Sequence, residues 1–86
     1  MKYKVVNNSY SECVKEMERV VRESGFEINP DESFLTIGLH TKRPKIGETT
    51  RFSLSLSKAG KPVRKGVHVQ VYGLPNGQYE LNCYLL

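Results

Sequence analysis

From Arg51 onward the chain alternates: Phe52, Leu54 and Leu56 are apolar, while Ser53, Ser55 and Ser57 are small and polar. Successive side chains of a strand point to opposite faces, so a period of two at this position makes a sheet with two unlike faces. The pattern recurs in Val67, Val69 and Val71 against His68, Gln70 and Tyr72. It returns again in Tyr79, Leu81, Cys83 and Leu85 against Glu80, Asn82 and Tyr84. A further run from about Phe34 to His40 sets Leu35, Ile37 and Leu39 on the inward side. Near the N-terminus Tyr3 and Val5 face one way and two lysines the other, which fits a short edge strand protected from unwanted pairing by charge.

Between the first strand and the rest lies one helix. Ser9 stands as N-cap with Glu12 three residues on, the spacing of a capping box. Tyr10, Val14, Met17 and Val21, with Cys13 and Val20 beside them, recur at three- and four-residue steps and form an apolar stripe. Gly25 closes the helix and Phe26 folds back on its last turn. Asn29-Pro30-Asp31, Ala59-Gly60 and Leu74-Pro75-Asn76-Gly77 are turn signals.

The expected architecture is α+β, a single domain over 1–86, with one N-terminal helix on one face of a four- to five-stranded antiparallel sheet in the order β-α-β-β-β-β. This order is similar to that of cystatin-like proteins, as a likeness of topology alone. One helix covers one face. The other is left displaying Thr36, Gly38, His40, Arg51, Ser53, Ser55, His68, Gln70, Tyr72, Glu80, Asn82 and Tyr84. That face reads as a solvated sheet surface, a recognition surface with tyrosine anchors, or the interface of a homodimer.

Eighty-six residues build a modest core with little room for a deep pocket. Cys13 and Cys83 both fall at inward positions and read as buried free thiols. With no signal-peptide core and no apolar run long enough to span a bilayer, the expected setting is cytoplasmic and away from membranes.

The net charge is +4, but it is unevenly placed. Residues 1–41 carry −2, residues 42–65 carry +7 and residues 66–86 carry −1. The positive charge therefore lies in the turns flanking the serine-rich strand.

No catalytic constellation emerges. His40 and His68 have no partner at a metal-ligand spacing, and the helix acids Glu12, Glu16, Glu18 and Glu23 are interleaved with Lys15, Arg19 and Arg22 as helix-stabilising pairs. Gly60-Lys61-Pro62 lacks the other parts of a phosphate loop, and the alternating serines have no paired base. No catalytic, metal or cofactor residues are assigned. The expected function is binding without catalysis: nucleic acid held by Lys42, Arg43, Lys45, Arg51, Lys58, Lys61, Arg64 and Lys65, with His68, Tyr72 and Tyr84 on the sheet face. The alternative is a protein-binding inhibitor, adaptor or regulator that docks an acidic protein surface. In a meander, the connection at 42–50 and the hairpin tip near residue 60 fall at opposite ends of the sheet.

Overall fold

The computed structural model describes residues 2–30 and 41–85. Its elements are β1 (Lys2–Asn7), α1 (Tyr10–Glu23), β2 (Glu27–Ile28), β3 (Thr49–Lys58), β4 (Lys61–Gly73) and β5 (Tyr79–Leu85). Five antiparallel strands form one curled sheet in the spatial order β1-β5-β4-β3-β2, with α1 packed on one face. The α+β expectation holds. β1 lies at the edge as its lysines suggest, and its strand partner is the last strand of the chain, with Lys2 opposite Tyr84 and Asn7 opposite Tyr79. The expected strand from Phe34 to His40 lies outside the described residues, as do Thr36, Gly38 and His40 of the predicted open face. Within the described residues the strand that follows the helix is the two-residue β2, placed against Ser57 and Leu56 of β3.

The helix begins and ends for local reasons. The Ser9 hydroxyl accepts the Glu12 N–H at 3.4 Å, satisfying one orphan donor of the first turn. The expected capping box is only half formed. The Glu12 carboxylate turns to Lys15 at 3.4 Å, and Asn7 Oδ1 accepts the Ser9 N–H in its place. At the other end the Gly25 N–H donates to Arg22 and the Phe26 N–H to Val21, a Schellman closure that requires the left-handed φ of +89° at Gly25. The apolar stripe Tyr10, Cys13, Val14, Met17, Val20 and Val21 is buried against Leu54, Leu56, Val67, Val69, Val71, Leu81 and Cys83. Both cysteines are free and buried.

The hairpins follow their turn residues. Ala59 and Gly60 both take positive φ, the two-residue geometry that matches strand twist. Beyond the tip, Ser57 pairs with Pro62 but Ser55 with Gly66, so β4 inserts a bulge opposite Leu56. Ser57 departs from the exposed pattern of Ser53 and Ser55. It sits between Glu27 and Pro62 on adjoining strands, is 1% exposed, and its hydroxyl finds no hydrogen-bond partner among the described residues. At the far end of β4 the connection before β3 crosses the strand as a strap. Gly47 N–H donates to Gly73 O, Gly73 N–H to Glu48 O, and Lys45 O lies where a Cβ on residue 73 would stand. No helix among the described residues is long and apolar enough to cross a membrane.

Candidate functional site

On the face opposite α1 the register arranges side chains in rows. Tyr72 lies opposite Glu80; Arg51, Gln70, Asn82 and Lys4 form the next row; Ser53, His68, Tyr84 and Lys2 form the third. Hydrogen bonds fasten the middle of this grid. Tyr72 Oη donates to Gln70 Oε1 at 2.7 Å, Gln70 Nε2 lies 3.4 Å from His68 Nε2, and His68 Nδ1 lies 2.9 Å from Ser53 Oγ. Because Tyr72 reaches a residue two positions back on its own strand, its ring lies along the sheet rather than standing away from it. Tyr84 packs on the His68 ring, with centroids 5.2 Å apart and planes at 46°. Glu80 accepts from Asn82 Nδ2 at 3.2 Å and pairs with Lys4 at 3.3 Å. An open groove of about 720 Å³ runs over this surface, bounded by Lys2, Lys4, Glu48, Tyr72, Leu74 and Tyr84.

The basic residues fall into two groups at the ends of β4. At the β3–β4 tip, the ammonium groups of Lys58 and Lys65 each lie 5.7 Å from the centre of the Phe26 ring, and the Glu27 carboxylate accepts the Gly60 N–H. Lys61 and Arg64 belong to the same hairpin and are exposed. Thirteen residues of β4 separate this tip from the strap at Gly73. There Thr50 Oγ1 donates to Lys42 O, and Arg43 and Lys45 line a smaller depression of about 450 Å³ with Leu74 and Tyr79. Arg51 lies between the groups, opposite Gln70. The compact basic patch is therefore not formed, as the meander implies; the cations bracket the polar face.

The helix treats its cations differently. Arg19 donates to Glu16 and Glu23, each at 2.7 Å, and to the Tyr3 hydroxyl at 3.1 Å. The bonds from Arg19 and Tyr3 hold the Glu16 carboxyl below its ordinary range, while the bond to Glu16 raises Tyr3. Lys15 pairs with Glu12. Among the described residues, none of Lys42, Arg43, Lys45, Arg51, Lys58, Lys61, Arg64 and Lys65 forms an ion pair.

The structure brings His68, Tyr72, Tyr84 and Arg51 onto one surface and sets the remaining expected site residues at its two ends. Lys2 and Lys4 join that surface too. Nothing local in the sequence announces them, because their place follows from the pairing of the first strand with the last. Gln70 and Asn82 carry no motif either, and only their even spacing from Tyr72 and Tyr84 marks them. Comparison with known proteins gives no matching family model, no matching curated protein and no matching solved structure.

Proposed function

We propose that the protein binds single-stranded nucleic acid along its helix-free face, without catalysis and inside the cell. The observation that carries this reading is the contrast between cations: among the described residues, those at 42–65 have no acidic partner, whereas two of the three on the helix are neutralised within it. Cations grouped at both ends of the polar face, with Arg51 between them, suit the repeated anionic backbone of a strand laid along it. The Tyr72 ring lying along the sheet and the Tyr84 ring packed on His68 suit unpaired bases, which stack on aromatic faces at roughly 1 to 3 kcal/mol each. A duplex hides those faces.

Fluorescence anisotropy of a labelled ten-nucleotide single strand, and of a duplex of equal length, at about 50 and 200 mM salt tests the proposal. About six phosphate contacts predict a loss of two to three orders of magnitude in single-strand affinity between these salts. Alanine at Lys58, Lys61, Arg64 and Lys65, or separately at Lys42, Arg43 and Lys45, is expected to weaken binding and flatten the salt slope. Absence of binding at the lower salt overturns the reading and leaves an acidic protein surface as the partner to seek.

A further inference from the structure

Resting on the nucleic-acid reading, we infer that the groove selects adenine and cytosine, which carry an amino group at C6 and C4, over uracil, which carries a carbonyl at C4, and that Asn82 is the residue that reads them. Tyr72 and Tyr84 stand two rows apart on neighbouring strands, roughly 14 Å from each other by the repeat of a strand and the spacing between strands. That separation leaves room for one base between two stacked ones, the two or three bases that a sheet platform holds. The row between the tyrosines contains Gln70 and Asn82.

These two amides are not equivalent. Gln70 has both ends engaged, its oxygen by Tyr72 and its nitrogen against His68. Asn82 uses only its nitrogen, held by Glu80 Oε2, and among the described residues its oxygen accepts no hydrogen bond although the residue lines the groove. The carboxylate fixes which end of the amide is which, because it accepts and cannot donate. The central position therefore offers an open acceptor, Asn82 Oδ1, next to a carboxylate that also only accepts. An amino group of adenine or cytosine donates two hydrogens into such a pair. Uracil presents carbonyl oxygens on both sides of its single N–H and sets acceptors against acceptors, which leaves polar groups unpaired.

Ten-nucleotide RNAs of cytosine only, uracil only and adenine only, measured by anisotropy at about 50 mM salt, decide this. Cytosine against uracil is the central comparison, since both are pyrimidines of the same size. The cytosine strand is expected to bind about fivefold more tightly than the uracil strand, the worth of one such hydrogen bond, with the adenine strand on the cytosine side. Asn82→Leu is expected to abolish the difference between the cytosine and uracil strands, and Asn82→Asp, which keeps an acceptor, to retain the order at lower overall affinity. Equal binding of the cytosine and uracil strands by the unaltered protein overturns the inference and leaves nucleic-acid binding standing. Binding of none of the three overturns the underlying reading as well.

Discussion

Cys13 and Cys83 lie in the interior, 0% and 2% exposed, and burial pushes both thiols from an ordinary 9.0 up to about 11. A raised value means that the folded state holds the proton more tightly than the unfolded one. The corresponding stability is complete below pH 9 and is lost as pH rises through about 11. Tyr10, pushed up to about 12 by burial, extends the same loss to higher pH. Urea midpoints measured between pH 8 and 11 are expected to fall steadily, and a thiol reagent at pH 8 is expected to label both cysteines only as fast as the protein opens. Glu16 acts on the acid side with the opposite sign. Its lowered value contributes stability above the ordinary 4.5 that disappears as pH falls through the folded-state value. Glycine 73 is constrained by space rather than charge: Gly73→Ala drives a methyl group into the Lys45 carbonyl, and a loss of about 1 to 3 kcal/mol in urea unfolding is expected.

The β3–β4 hairpin carries its own strain at Ala59, where φ is +52° without the freedom of a glycine. Ala59→Asn suits the same turn and is expected to raise stability by about 0.5 to 1 kcal/mol, read from the urea midpoint. The turns, the helix and the three long strands were legible because each is written in neighbouring residues: a cap, a 3.6-residue stripe, a period of two, a glycine where φ must be positive. The half-formed capping box was not, because Glu12 had a lysine one turn away as competitor. The bulge in β4 and the burial of Ser57 were not, because register depends on two strands and a sequence lists one at a time. The strap across Gly73 likewise depends on residues 25 and 26 positions apart. For the candidate site, the cations and tyrosines could be named in advance, but the fastening of Gln70 by Tyr72 and the placement of Lys2 and Lys4 required the folded sheet.

Over the whole molecule, charge is segregated. The helix carries four acids against three bases, mostly paired along its own surface, while ten of the thirteen basic residues lie outside it. Like charges concentrated in residues 42–65 repel one another, so added salt is expected to raise the melting temperature modestly. A single strand at one hundred times its dissociation constant is expected to add about 2.7 kcal/mol at low salt, detectable as a thermal shift that vanishes at high salt. The order of the strands has a different consequence, in time. Of the described elements β1 is synthesised before the others, yet its strand neighbour β5 is synthesised after them. Until β5 is made, β1 lacks the strand it pairs with, and the charges of Lys2 and Lys4 disfavour pairing of that waiting edge with another chain. The β1–β5 pairing joins residues 72 to 82 positions apart, so closure of the sheet waits for β5, and the helix-free face with its tyrosines is completed only with it.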